Sequence, residues 1–243
     1  MAADPRPLYA RVEQALLERI HRRYRPGDLL PTQQELAREF GTSLITVKRA
    51  LDEIARRGLL RSTRGRGTVV QRPVVEDDRR GLTSWTDTMT GLGRTPETLR
   101  CRLRVRVPPP AVARTLGLKA RERTGVGERL RALDGEPFCL MHNELPLSLV
   151  PDLAEEGLHE ESLYRRLKVR YGLVPQRADE EVEARPATPG EKRALGPGAS
   201  TVLVVRRHTW LADGRPLEVA DMIASARRYR YRVGIVRDKK EGR

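Results

Sequence analysis

Thr32-Gln33-Gln34-Glu35-Leu36-Ala37-Arg38-Glu39-Phe40-Gly41-Thr42-Ser43-Leu44-Ile45-Thr46-Val47-Lys48-Arg49-Ala50-Leu51 decides the fold of the first third of the chain. It opens on a capping box, in which the threonine oxygen takes an orphan helix N–H and Glu35 reaches back to the threonine backbone. Leu36, Ala37 and Phe40 form the apolar side of a short helix. Gly41 breaks that helix, and Thr42-Ser43 offers the N-cap of the next. Val47, Ala50, Leu51 and Ile54 then recur at helical spacing and are expected to face inward, until Gly58 closes the helix at a C′ position. Two helices joined by so short a turn predict a helix-turn-helix.

Upstream, Leu8, Val12, Leu16 and Ile20, with Tyr9 and Ala15 beside them, predict a helix from Leu8 to about Arg23, ended by Pro26-Gly27-Asp28. Downstream, Leu59–Thr63 and Thr68–Gln71 read as two strands around Arg64-Gly65-Arg66-Gly67. Three helices and a basic hairpin make a winged helix-turn-helix over residues 1–72. The third helix would present its N-terminal end to base edges in the major groove. Its first turn and polar side offer Ser43, Leu44, Thr46, Lys48 and Arg49, with Thr32, Gln33 and Gln34 at the start of the preceding helix. At the wing tip Gly65 and Gly67 let backbone approach phosphate, and Arg64 and Arg66 can enter a minor groove.

Charge points the same way. The 243 residues carry 47 Lys+Arg against 33 Asp+Glu, a formal +14. Residues 1–72 hold 15 basic and 8 acidic side chains, so +7 sits on less than a third of the chain. A basic module of this kind suits double-stranded DNA, although a GC-rich codon bias also feeds the arginine surplus. No stretch approaches the roughly 18 apolar residues of a membrane span, and Met1–Pro7 lacks the apolar core of a signal peptide. Cys101 and Cys139 are too few for a disulfide scaffold or a cysteine zinc site. A cytoplasmic protein without membrane partner is expected.

Residues 73–81 are charged and without periodicity, and read as a linker. Residues 82–236 carry an internal repeat at an offset of 79: Pro110 with Pro189, Arg114 with Arg193, Leu116-Gly117 with Leu195-Gly196, Asp134-Gly135 with Asp213-Gly214, and Pro137 with Pro216. Each copy runs strand, short helix, strand, Asp-Gly hairpin turn, strand, with the leading strands at Leu99–Val107 and Gln176–Ala184. Two helices, around Val150–Gly157 and Ser162–Tyr171, lie between the copies. The fold class is α+β, an antiparallel sheet with helices against it. Residues 237–243 form a charged tail.

These motifs carry a resemblance. Pro26-Gly27-Asp28, Leu30-Pro31-Thr32, Glu35-Leu36-Ala37, Thr46–Leu51 and Gly65–Thr68 resemble the DNA-binding domain of GntR-family bacterial transcription factors. Thr83–Met89 with Gly91 and Gly93, Glu128–Arg131, Asp134–Pro137 and the closing Tyr229–Val233 resemble the UTRA effector domain of the HutC subfamily, whose fold is similar to chorismate lyase. The resemblance implies a homodimeric repressor on a pseudo-palindromic operator, released or engaged by a small anionic effector. Two departures affect the DNA contacts: the family usually has arginine where this chain has Gln34 and Leu44. Either the operator is less guanine-centred than the family norm, since glutamine suits adenine and leucine can meet only a thymine methyl, or both side chains merely fill surface.

Arg129 and Arg131 stand two apart on a predicted strand and share a face. If that face is inward, the two guanidiniums need an anion. Thr83, Ser84 and Thr86 open a predicted helix whose free N–H groups favour an anion as well, with Trp85 able to cover a sugar or apolar face. The resemblance adds Met141, Asn143, Tyr229 and Tyr231 to the effector site. At Met141 and Tyr229 the family usually has acidic residues, and it usually has tyrosine at Ala226. The carboxylates that grip sugar hydroxyls are therefore expected to be missing. An alternative makes the C-terminal domain a dimerisation or docking module without effector. An enzyme is not expected: His21, His142, His159 and His208 lack metal spacing, no Ser/His/Asp set is evident, and no metal or cofactor is called for.

Overall fold

The computed structural model describes residues 6–56, 58–63, 67–71, 75–78, 81–158, 162–196 and 198–233. The chain divides into two compact units, Met1–Pro73 and Val74–Arg243. Among the described residues, no helix is long and apolar enough to cross a membrane.

In the first unit, α1 (Leu8–Arg23), α2 (Gln33–Glu39) and α3 (Leu44–Arg56) precede a hairpin of β1 (Leu60–Thr63) and β2 (Gly67–Val70). The apolar stripes meet: Val12, Leu16 and Ile20 of α1 pack with Leu36 of α2 and with Val47, Ala50, Leu51 and Ile54 of α3. The capping box is present, with Thr32 N–H donating to Glu35 Oε2 at 2.7 Å and Glu35 N–H to Thr32 Oγ1 at 3.3 Å. Gly41 and Gly58 both adopt positive φ, at the turn between α2 and α3 and beyond the end of α3. The architecture is a winged helix-turn-helix. The wing tip Arg64-Gly65-Arg66 lies outside the described residues, as does the 237–243 tail.

In the second unit, six strands form one antiparallel sheet in the order β4-β5-β6-β9-β8-β7: β4 (Pro96–Arg106), β5 (Thr124–Leu133), β6 (Glu136–Pro146), β9 (Pro216–Ser225), β8 (Thr201–Trp210) and β7 (Arg177–Pro186). The order is palindromic about the β6/β9 seam, and the 79-residue repeat maps β4, β5 and β6 onto β7, β8 and β9. The matched short helices are α5 (Pro110–Thr115) and α8 (Pro189–Leu195). Asp134 and Gly135 both take positive φ at the first hairpin, 51° and 79°, which fits the mirror-image turn that matches strand twist. Buried Asp134 is also fixed from outside the turn, accepting from Arg94 Nε at 2.6 Å and Thr95 N–H at 2.9 Å.

The helices α6 (Leu153–Glu156) and α7 (Leu163–Tyr171) pack Leu153, Leu163 and Leu167 over Leu145, Leu211 and Leu217 of the sheet region. Trp85 and Met89 of α4 (Trp85–Gly91) join a second cluster with Phe138, Met222 and Tyr229. Leu195 of α8 belongs to a third, with Val202 and Val204.

One expectation is corrected. Within the segment read as a linker, β3 (Val75–Asp78) is a strand, paired in parallel with the closing strand β10 (Tyr229–Arg232). Polar composition concealed it because the pairing is non-local: Val75 is the buried anchor, and its partner Tyr229 lies 154 positions away.

Two carboxylates tie this unit to pH. Burial works to raise the Glu144 pKa, yet hydrogen bonds from His142, Arg106 and Thr124 hold it down to about 2. Glu191, paired with Arg185 and capped onto Thr188 N–H, also sits at about 2. Both folded-state values lie below the ordinary glutamate value of about 4.3. The stabilisation is therefore complete above that value and is lost as pH falls from about 4.3 toward about 2. Urea midpoints are expected to fall across this window, and to fall less steeply in Glu144→Gln. Parallel curves for the two proteins would contradict this.

Candidate functional site

The DNA-facing candidates of the first unit sort by how free they are. Ser43 caps α3, accepting from Thr46 N–H at 3.2 Å, and its hydroxyl also bonds the Thr46 hydroxyl at 2.8 Å. Thr32 is likewise engaged by Glu35. Gln33, Gln34, Lys48 and Arg49 are exposed. Arg49 lies over the Tyr9 ring at 3.9 Å, so its aliphatic stem is guided by α1. Gly67 opens β2 at φ 86°, and a Cβ there would come within 3.2 Å of Leu29 Cδ2. Sequence reading selected Leu44 and passed over its neighbour: Leu44 is 47% exposed, but Ile45 is 81% exposed and stands at the middle of the outward face.

In the second unit, a cavity of about 560 Å³, its open mouth included, lies beside the β6/β9 seam and is bordered by α4 and α7. Seven of the nine expected effector residues line it: Ser84, Trp85, Thr86, Arg129, Arg131, Met141 and Asn143. Strand alternation puts Arg129 and Arg131 on one face, as their spacing required, and that face is the inner one. Arg131 is almost fully buried, donates from Nε to Glu97 O at 3.1 Å and from Nη2 to Thr86 Oγ1 at 3.3 Å, and stacks 4.7 Å over Trp85. Burial, then the charge of Arg129, bring its pKa down to about 10.

Arg129 is the anomaly. It is 4% exposed and donates from Nη2 to Asn143 Oδ1 at 3.0 Å, while its Nε and Nη1 have no hydrogen-bond partner. The indole N–H of Trp85 is also buried without an acceptor. Burial lowers the Arg129 pKa, with only partial relief from Cys101 and Glu218. A guanidinium held this way is a donor set awaiting acceptors.

Several expectations are corrected here. Tyr229 does not line the cavity. It is fully buried behind it, edge-on to Phe138 at 6.2 Å, and Phe138 in turn lies 6.2 Å from Trp85. Tyr231 also stands outside the lining, but its hydroxyl donates to Glu180 Oε2 at 2.5 Å, and Glu180 does line the cavity. Nor is the N-terminus of α4 an open anion site: Asp87 N–H donates to Ser84 Oγ at 3.0 Å, and the Asp87 carboxylate accepts from that hydroxyl at 2.6 Å.

A further correction concerns carboxylates. They are present, supplied by other strands: Glu180 from β7, and Glu218 and Asp221 from β9. Burial raises the Glu218 pKa, against hydrogen bonds from Asn143 Nδ2 at 2.7 Å and Tyr164 OH at 3.2 Å. The repeat carried a signal for two of them. At the offset of 79, Glu180 corresponds to Cys101 and Glu218 to Cys139. Tyr164 and Arg207 were also missed, because α7 and β8 reach the cavity only through tertiary packing.

These groups form one chain of hydrogen bonds. Arg129 donates to Asn143, Asn143 to Glu218, and Tyr164 to Glu218. Arg207 donates from Nη1 to Tyr164 Oη at 3.2 Å and from Nε to Glu180 at 2.5 Å, and Tyr231 closes the chain on Glu180. The network thus runs from the partly unpaired Arg129 guanidinium to β10, the strand that holds β3.

Residues 8–70 match the family described as bacterial regulatory proteins, gntR family, and residues 91–230 match the UTRA domain. The chain is similar to the HTH-type transcriptional repressor NagR of Bacillus subtilis, at 30% identity over 94% of each chain. It is 31% identical to the HTH-type transcriptional regulator Rv0792c of Mycobacterium tuberculosis, over 90% of this chain and 81% of that one. The crystal structure of PhnF from Mycobacterium smegmatis shares the fold, with a TM-score of 0.66 at 24% identity, over 96% of this chain and all of that one.

Proposed function

Since the chain belongs to the GntR family of bacterial regulatory proteins and carries a UTRA domain, a DNA-binding transcriptional regulator and not an enzyme, we propose that it is a repressor whose operator affinity is set by a small anion bound against Arg129 and Arg131. The observation that carries this reading is the unsatisfied Arg129 guanidinium at the cavity wall. An anionic ligand would supply its missing acceptors, and hydroxyl or amine groups on the same ligand would meet Glu218, Glu180 or Asp221. The protein would act as a homodimer on a pseudo-palindromic operator, one winged module per half-site.

Control requires that the ligand favour one of two states, since equal affinity for both shifts nothing. The hydrogen-bond chain from Arg129 to Tyr231 offers the differential contact. Occupancy that redirects Arg129 or Glu218 disturbs Tyr164, Arg207 and Glu180 in turn, and hence β10. Its parallel partner β3 begins two residues after Pro73, where the first unit ends.

Thermal shift of the full-length protein against phosphate- and carboxylate-bearing metabolites tests the reading. A ligand that binds only the folded state raises the midpoint by mass action, and the rise is expected to vanish in Arg129→Ala/Arg131→Ala. Silence across the panel, with operator binding intact, would instead favour a C-terminal domain that only dimerises or docks. Tyr231→Phe is a sharper probe of transmission. It is expected to leave the ligand-induced midpoint shift unchanged while reducing the effect of ligand on operator anisotropy. Equal loss of both would show that Tyr231 serves binding and not transmission.

A further inference from the structure

We propose that Leu44 and Ile45 read thymine methyl groups, so that the operator half-site is centred on A·T pairs. The proposal rests on DNA binding by the winged module and goes beyond it by naming what α3 reads. Every other large aliphatic residue of α3 is at most 4% exposed, whereas Ile45 is 81% and Leu44 47% exposed, adjacent in the first turn. That turn is the part of a recognition helix that meets base edges. The major-groove edge of a base pair offers one apolar group, the thymine C5-methyl.

The polar groups of the first turn are partly engaged. The hydroxyls of Ser43 and Thr46 are bonded to each other at 2.8 Å while Ser43 caps the helix, which leaves the pair a single free O–H beside the two exposed aliphatic side chains. Lys48 and Arg49, one turn beyond Leu44 and Ile45, are exposed and cationic, placed to hold flanking phosphates. Gln34, exposed at the start of α2, has the side chain that pairs bidentately with adenine, the partner of thymine. The unit's positive charge matches DNA and argues against a second copy of this equally basic surface as the occupant.

The test uses the full-length protein and a duplex selected by it from a random-sequence pool. Each thymine of the half-site is replaced in turn by deoxyuridine, which removes the methyl and keeps every hydrogen bond. One or two positions per half-site are expected to lose about fourfold in affinity each, the value of one buried methyl. Leu44→Ala/Ile45→Ala is expected to bind the thymine and deoxyuridine duplexes equally. It should keep wild-type helicity, oligomeric mass and salt-dependent binding to random DNA. Ile45→Thr alone should lose part of the discrimination. A guanine-centred half-site, indifference of the wild type to every deoxyuridine, or undiminished discrimination in the double variant would overturn the proposal, as would a change in oligomeric mass. Salt-dependent binding of the wild type to random duplex is scored separately, so a failure of DNA binding itself is distinguishable from a failure of methyl reading.

Discussion

Arg129→Met is expected to raise the thermal midpoint of the ligand-free protein while abolishing its response to effector. The two effects share one cause. Arg129 is buried with Nε and Nη1 unpaired and lies on the same face as Arg131, whose charge it opposes. Removing a buried ion in favour of an apolar side chain of similar volume is often stabilising, by about 1–4 kcal/mol. Asn143 Oδ1 would lose a donor, which costs about 1 kcal/mol. The net gain should be modest, on the order of 2–4 °C for each kcal/mol at this domain size. Arg131→Met should gain less, because Glu97 O, Thr86 and the Trp85 ring already serve that guanidinium. Differential scanning of the two variants decides it: a midpoint for Arg129→Met well below wild type would mean that the guanidinium is satisfied in the folded protein.

Phe138→Ala should produce the largest loss of stability. Its ring is 1% exposed, lies between Trp85 and Tyr229, and has Arg228 stacked over it at 5.4 Å. Truncating such a ring costs about 3–5 kcal/mol, as lost transfer energy and residual cavity. Much of the second unit's margin would go, since whole domains hold only about 5–15 kcal/mol. The void would also free the Trp85 ring on one side and Tyr229 on the other, so effector binding should weaken even where the fold survives. Urea unfolding with an unchanged slope and a much lower midpoint is the expected readout. A loss under 1 kcal/mol would place Phe138 outside the core.

What could be read without coordinates was local or periodic. The capping box, the stripe of α3 and the Asp-Gly turns are each determined within a few residues, and each appears as the sequence implied. The 79-residue repeat gave each copy its strand–helix–strand–turn–strand order, while the symmetric arrangement of the strands emerged only from the pairing. Period-two alternation placed Arg129 and Arg131 on one face, and the packing of the sheet made that face the inner one. What escaped depends on distant partners. Val75–Asp78 looks like polar linker because nothing nearby shows that Tyr229–Arg232 will pair with it. The carboxylates were sought on β6 and in the closing motif, whereas β7 and β9 supply them. Ile45 was overlooked because helical periodicity classifies a residue by its neighbours, and an apolar side chain on the polar side looks like noise until its exposure is known.

The palindromic sheet has a further consequence at its seam. Two copies of one motif meet there, yet they do not line the cavity with equivalent positions: His208 and Trp210, which match Arg129 and Arg131 at the offset of 79, are not among its lining residues. The first copy contributes Arg129 and Arg131, while the second contributes Glu218, Asp221 and, at its edge strand, Glu180, the last bonded to Arg207 of the same copy. The cavity is electrically polarised although its scaffold is nearly two-fold. In the reading proposed above, a guest with an acidic end and a hydroxylated or basic end has one favoured orientation, its acidic end toward Arg129 and Arg131. Duplication supplied the container, and the unequal drift of its halves gave that container a direction.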